Sequence, residues 1–253
     1  MSRGCVVGVS EWGPMLLPVG DQYVANAVFR DGVYSAAEFR GWVPYLAAGM
    51  TIVEVGAHCG AHTLALGRAV GSRGRVVACE PQRGLAQMCA GTMALNGLTW
   101  VDVRNVGVSS VPGEVVLPDF DYSRSANFGG VSLIDADHGI TVPVVTLDTM
   151  KLGPVHFLKV DVEGMEHQVL QGGLRMIREH RPVIAVEADR LEANAKVIAW
   201  LRQAGYRLWW HQTPLGPSVP NLRSQNLLAV PDGKPEPLSD CVPWRDGETW
   251  PAA

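Results

Sequence analysis

Carboxylates recur in this sequence at one kind of place, the end of an apolar run. Glu54 lies near the end of TIVEV (51–55), Glu80 follows RVVAC (75–79), Asp161 ends VHFLKVD (155–161) and Glu187 ends PVIAVE (182–187). Between the first two, EVGAHCGAHT (54–63) brackets a turn with Gly56 and Gly60, where the backbone can approach a ligand with no Cβ in the way. A tight strand-to-helix turn would explain those glycines alone. An acid about two dozen residues beyond Gly56, however, can accept hydrogen bonds from both hydroxyls of a ribose, and Glu80 stands there. Turn and acid together predict an adenosine pocket.

The turn also bears on which adenosine compound fits. A dinucleotide site needs Gly-x-Gly-x-x-Gly to seat a pyrophosphate on the helix N-terminus, whereas here the second and third glycine positions hold His58 and Ala61. Glu54 adds a carboxylate where phosphates would be repelled. A pocket with Glu54 and Glu80 suits a cationic, ribose-bearing ligand, and S-adenosylmethionine carries both an α-ammonium and a sulfonium. A nicotinamide-dependent oxidoreductase stays open as an alternative, with the ribose acid but without the glycine triad.

A second constellation is LKVDVEGMEHQVLQGG (158–173), in which Lys159, Asp161 and Glu163 alternate with apolar residues and so share one face of a strand. Ionisable groups on a strand covered on both faces must be paired, hydrated or functional. For Lys159 a structural ion pair with a carboxylate is as good an account as a functional one. Glu163, followed by Gly164, reads as a cap for a helix beginning near Glu166. Asp161 leads the candidates for receiving a proton. His62, in the first helical turn, could cap, line the pocket or move protons, and His211, after Trp209 and Trp210, could face an acceptor or pack. His58 is expected to touch ligand or water. The two tryptophans could stack on an acceptor, although aromatic residues in a strand usually belong to the core. Asp161, Glu187 and Asp189 could offer oxygens to magnesium, yet no spacing demands a metal, and none is expected.

These residues need a scaffold, and from Ala36 the sequence alternates short β-branched runs with helical stretches, as in a parallel sheet with crossover helices. WVDVRNV (100–106) adds a third strand to the runs above. Helices are expected over Ala61–Val70, Arg83–Asn96, Glu166–Ile177 and Leu191–Ala204. In the last, Leu191, Ala195, Ile198 and Leu201 form an apolar stripe. Prolines and glycines break 105–145 into loops with room for one hairpin, an insertion that should overhang the ligand crevice. Residues 1–35, with pieces such as YVANAVF, read as a strand-rich arm, 36–231 as the main domain, and 232–253 as a loosely packed tail.

With 253 residues, 18% charged residues and a net charge of −4, the chain has ordinary globular composition and no basic excess for nucleic acid. Its five cysteines (5, 59, 79, 89 and 241) form no Cys-x-x-Cys and read as reduced thiols. No signal peptide and no run of roughly 18 apolar residues is evident. A soluble cytoplasmic protein is expected, with no membrane partner; a homo-oligomer is compatible with this composition.

From about Asp31 to Pro231 the sequence resembles the FkbM-type family of S-adenosylmethionine-dependent methyltransferases. The resemblance rests on DGVYSAAEF, EVGAHCGAHT, GRVVACEP, TLD (146–148), LKVDVEGMEHQVLQGG and RPVIAVE, in the family's order. Members usually carry Asp at position 54 and Asn at 58, so Glu54 and His58 alter reach, and the segment between Leu215 and Asn226 is shortened. The resemblance implies an α/β, Rossmann-like seven-stranded class I methyltransferase fold with an N-terminal strand-rich arm. It implies cofactor contacts from Glu54, Gly56, His58, Gly60, Thr63, Glu80, Pro81 and Asp161. The implied activity is O-methylation of a small-molecule hydroxyl, on a sugar, polyketide or other natural product, by in-line displacement. The departures at 54 and 58 keep a catalytically silent cofactor-binding protein as a further alternative.

Overall fold

Runs such as TIVEV and RVVAC have no polar side to their alternation, and strands of that kind need cover on both faces. In the computed structural model, which describes residues 4–132, 136–219, 221, 223–238 and 240–248, they are interior strands of an eight-stranded sheet. The chain opens with a hairpin of β1 (Cys5–Ser10) and β2 (Gly13–Pro18), then α1 (Val24–Asp31) and α2 (Ala36–Trp42). The alternating core follows as β3 (Thr51–Val55), α3 (Ala61–Val70), β4 (Arg75–Cys79), α4 (Arg83–Leu95) and β5 (Val101–Arg104). The insertion holds β6 (Gly107–Val108), β7 (Gly113–Leu117) and β8 (Ile140–Val145). The second half contains β9 (Phe157–Val160), α5 (Glu166–Gly172), α6 (Leu174–His180), β10 (Val183–Glu187), α7 (Leu191–Gln203), β11 (Tyr206–Pro214), β12 (Arg223–Pro231) and β13 (Cys241–Pro243).

Across the sheet the order is β13-β11-β12-β10-β9-β3-β4-β5, parallel from β10 to β5 and antiparallel at β12, β11 and β13. The Rossmann-like expectation holds; the eighth strand is β13, added at the edge. Period-2 alternation sends Val53, Val55, Leu158, Val160, Ile184 and Val186 to one face, under α5, α6 and α7. Ile52, Val76, Phe157, Val183 and Ala185 go to the other, under α2 and α3. The β1–β2 hairpin packs through Met15 and Leu17 with α1 and α4.

Four local expectations change. YVANAVF is helical, because Val24, Ala25, Ala27 and Val28 recur at helical spacing and are buried together, outweighing the β propensity of single valines. The 166–177 helix divides at Gly173, where a Cβ would lie 2.8 Å from Leu147 Cδ1. The insertion keeps loops and one antiparallel pair, β7 with β8, and gains β6 beside β8, which makes a three-stranded sheet, β6-β8-β7. The tail is tied down as far as Glu248: β13 pairs with β11, Trp244 N–H donates to Leu208 O (3.0 Å), and Trp210 Nε1 donates to Glu248 (3.2 Å). Residues 1–3 of the expected arm and 249–253 of the expected tail lie outside the described residues. Among the described residues no helix is long and apolar enough to cross a membrane.

Candidate active site

Chain order reverses between β3 and β9, and the crevice beyond their C-terminal ends is where open α/β sheets bind ligands. A cavity of about 320 Å³ opens there, within the roughly 300–1,000 Å³ of small-molecule sites. Glu54, Glu80, Asp161 and Glu187, each at a strand tip, all line it, as do Gly56, His58, His62 and Pro81.

Glu80 is fixed from both sides. One carboxylate oxygen accepts the Gln82 backbone N–H (2.8 Å) and the other the His58 backbone N–H (2.8 Å). Burial pushes its pKa up to about 7, against the pull of those two donors. Gly56 has φ +88°, and a Cβ there would collide with the Asp161 carbonyl oxygen, so the turn requires glycine. Gly60, also left-handed at φ +93°, does not line the cavity; a Cβ there would lie 2.9 Å from Cys89 Sγ, so it serves the packing of α3 on α4.

Lys159 is buried among acids, 3.1 Å from Asp161 Oδ2 and 3.5 Å from Glu54 Oε1, and it donates to Gly56 O (3.3 Å). Thr63 Oγ1 donates to Glu54 Oε2 (2.6 Å). Thr63 therefore stands behind Glu54 and outside the cavity lining, and much of the Glu54 charge is met by Lys159. Burial raises the Glu54 pKa, with Lys159 opposing. For Asp161 burial also opposes ionisation, but the Lys159 charge and hydrogen bond outweigh it, helped by a hydrogen bond from Glu187, and the carboxyl stays below its usual range. Burial and the Asp161 charge drive Glu187 well above its ordinary value. The two carboxyls are thus pushed in opposite directions, Asp161 down and Glu187 up, and Glu187 Oε2 is buried without a partner among the described residues.

Glu163 departs from its expected role as a cap. It follows the strand with φ +58° and pairs with Arg190, while Glu166 Oε1 accepts the backbone N–H of Val162 (3.2 Å) and Gly164 (3.0 Å). Carboxylate oxygens of Asp161, Glu163 and Glu187 lie within 4.8 Å of one another, with Glu163 in the place expected of Asp189.

His62 lines the cavity with Nε2 4.0 Å from Glu38 Oε2 and its ring edge-on to Trp42 at 4.9 Å. Burial, then the Lys159 charge, push its pKa down to about 3, so the ring is neutral near pH 7. His58 is lowered by burial, with Nε2 3.7 Å from Asp21 Oδ1. His211 does not reach the cavity: it is fully buried on β11, against Gly41 of α2. Trp209 and Trp210 are core residues.

The sequence reading missed what folds over the cavity from a distance. Tyr23, Tyr34 and Glu38 come from the N-terminal segment, Asn127 and Phe128 from the insertion, and Arg223 to Asn226 from the start of β12. Glu38 accepts the Ser35 hydroxyl (2.7 Å), and burial raises it to about 7. Its signal was an acid inside the apolar run AAEF. Gln82 Nε2 donates to Phe128 O (2.6 Å), tying the insertion to the cavity rim as the overhang required.

A carboxyl group held by two backbone donors beside the Gly56 turn, and acids outnumbering cations around the rim, fit S-adenosylmethionine and disfavour a pyrophosphate. Comparison with known proteins agrees. No curated protein matches the chain. Among solved structures it is similar to methyltransferase FkbM from Methylobacillus flagellatus KT, at 22% identity and TM-score 0.53, over 72% of this chain and 44% of that one. It is also similar to a SAM-dependent methyltransferase from Aquifex aeolicus (17% identity, TM-score 0.45, 78% and 90% covered). A third is a SAM-dependent O-methyltransferase from Thermotoga maritima (14%, 0.45, 93% and 96%). This chain spans less than half the length of the Methylobacillus chain, and at that identity the likeness establishes the fold. The family model described as the methyltransferase FkbM domain matches residues 54–208, more than half of the chain and every strand tip that carries a cavity acid. The chain belongs to this FkbM family of S-adenosylmethionine-dependent methyltransferases, which decides against the nicotinamide alternative.

Proposed function

We propose that this protein methylates a hydroxyl of a small molecule such as a sugar or polyketide. The observation that carries the reading is the Asp161–Glu187 pair on the cavity wall, two carboxyl groups with oxygens within 4.8 Å of each other, of which Asp161 ionises the more readily. Asp161, which lines the cavity, can accept the hydrogen bond of a hydroxyl placed beside it. S-adenosylmethionine supplies an electrophilic methyl group on a sulfonium. Glu80 would hold the ribose hydroxyls, and Gly56, lacking a Cβ, would leave room for the cofactor beside β3. Asp161 would accept the hydrogen bond of the acceptor hydroxyl, aim its lone pair and receive its proton. Because Lys159 stabilises the Asp161 carboxylate, Asp161 is a weak base and acts mainly by orientation. Near-attack positioning can supply roughly 7–11 kcal/mol, whereas general-base help is about 10²- to 10⁴-fold in rate. Neutral His62 would line the site. Five free cysteines support a reducing cytoplasm, and the net charge of −4 supports an acceptor other than nucleic acid.

The test measures S-adenosylhomocysteine release with a panel of hydroxylated acceptors. Asp161→Asn should lower kcat roughly 10²-fold or more while leaving S-adenosylhomocysteine affinity within a few-fold, the retained affinity reporting an intact fold. Unchanged turnover would move the proton acceptor elsewhere. Tight cofactor binding with no turnover on any acceptor would favour the silent alternative suggested by Glu54 and His58.

A further inference from the structure

On the outer strands of the sheet, one strand beyond the cavity lining, three side chains of metal-binding type meet. His211 on β11 stands opposite Cys241 on β13 in antiparallel register, so both side chains lie on the same face. Asp240 precedes Cys241 in a turn closed by the Cys241 N–H donating to Leu238 O at 3.0 Å. A ring nitrogen of His211, the Cys241 sulfur and an Asp240 carboxylate oxygen lie within 4.8 Å of one another. Imidazole, thiolate and carboxylate are the donors that zinc accepts, whereas magnesium and calcium take oxygen alone.

A separate observation points the same way. His211 is 0% exposed, and neither of its ring nitrogens has a hydrogen-bond partner among the described residues. A neutral imidazole holds one N–H donor and one bare nitrogen, and buried polar groups of this kind are almost always satisfied. The ring has no room to turn away, because its Cε1–Nε2 edge lies against Gly41 of α2, where a Cβ would run into it. That glycine makes room for the imidazole at this depth. Cys241 is buried and forms no disulfide, while Asp240 is exposed. The constellation has a dry interior side and a wet outer side.

We propose that His211, Asp240 and Cys241 bind one zinc ion, which fastens β13 to the sheet. Cys241 releases its thiol proton to solvent as the zinc–sulfur bond forms. His211 gives the lone pair of one nitrogen, Asp240 gives one oxygen, and a water on the exposed side completes a tetrahedral shell. The bond has a structural purpose. β13 is three residues long and pairs with a single neighbour, so a zinc bond at its start would reinforce the hydrogen bonds that hold Trp244 and Glu248 after its end. Its anchor also stands beside the reactive end of the molecule, for His211 pairs in register with Asn226, which lines the cavity.

The experiment strips the full-length protein with chelator, dialyses it, and titrates zinc and then cobalt. Expected are one zinc per chain by elemental analysis, a rise in Tm on adding zinc, and a thiolate-to-cobalt charge-transfer band with the strong visible absorption of a tetrahedral ion. Asp240→Asn, at an exposed position, should weaken zinc binding by at least about tenfold with the fold intact by circular dichroism. Cys241→Ser should abolish the charge-transfer band; should it fail to fold, the loss of affinity in Asp240→Asn decides. Less than one zinc per chain at micromolar zinc, or zinc binding in Asp240→Asn at full strength, overturns the proposal.

Discussion

Glu80 shows how a carboxyl at the tip of a strand is held in place on a cavity wall. Its two backbone donors hold the carboxylate in one orientation, yet burial leaves its pKa near 7 in the protein without ligand, and Glu38 across the cavity is raised likewise to about 7. Between the ordinary carboxyl value of 4.5 and about 7, the unfolded chain ionises these groups while the folded chain keeps them protonated. Their contribution to stability is therefore fully present below 4.5 and is lost as pH rises through about 7. A ribose needs the acceptor form of Glu80, and a cation favours its charge. Affinity for S-adenosylmethionine should accordingly rise as pH is raised through about 7, and calorimetry across that range checks it. Glu80→Gln should flatten most of this slope and weaken binding by about 1.5–3 kcal/mol, roughly 10- to 100-fold. A slope equally steep in the variant would assign the proton to Glu38 or another group.

Among the elements, α5 begins in a way that the sequence suggested through the wrong residue. Glu163 looked like the cap because a glycine follows it, but its left-handed backbone turns the side chain to Arg190, and Glu166 reaches back to two N–H groups instead. Glu166→Ala should cost about 1–3 kcal/mol in urea denaturation by leaving Val162 and Gly164 unsatisfied, and a change within about 0.5 kcal/mol would show that water replaces the carboxylate at no cost. This mixture of success and miss runs through the chain. The strands β3, β4, β9 and β10 were legible because each is an apolar run ended by an acid, and a run of that kind has few other uses. Helix α1 was not, because its valines favour strands locally and only burial beside the hairpin settles the matter. Gly60, Thr63 and His211 sit in or near motifs, but sequence position says nothing of depth: the first packs on α4, the second supports Glu54, and the third lies behind the sheet edge. Glu38 and Phe128 were hidden for the opposite reason, since they reach the cavity through contacts remote in sequence.

At the level of the whole molecule, the strand order of a parallel sheet reverses between β3 and β9, and the acids at the strand tips gather at the crevice that results. The sheet supplies acids at its strand tips, the N-terminal segment and the insertion fold over them, and the buried Lys159 ion-pairs with both Glu54 and Asp161. Such a cavity is built for a cationic nucleoside and against a pyrophosphate. Isothermal titration of the purified protein with S-adenosylmethionine at pH 8 tests that claim most directly, pH 8 being about one unit above the Glu80 midpoint. One molecule bound per chain, at micromolar to tens-of-micromolar affinity, is the predicted result; no heat of binding up to millimolar cofactor would contradict it.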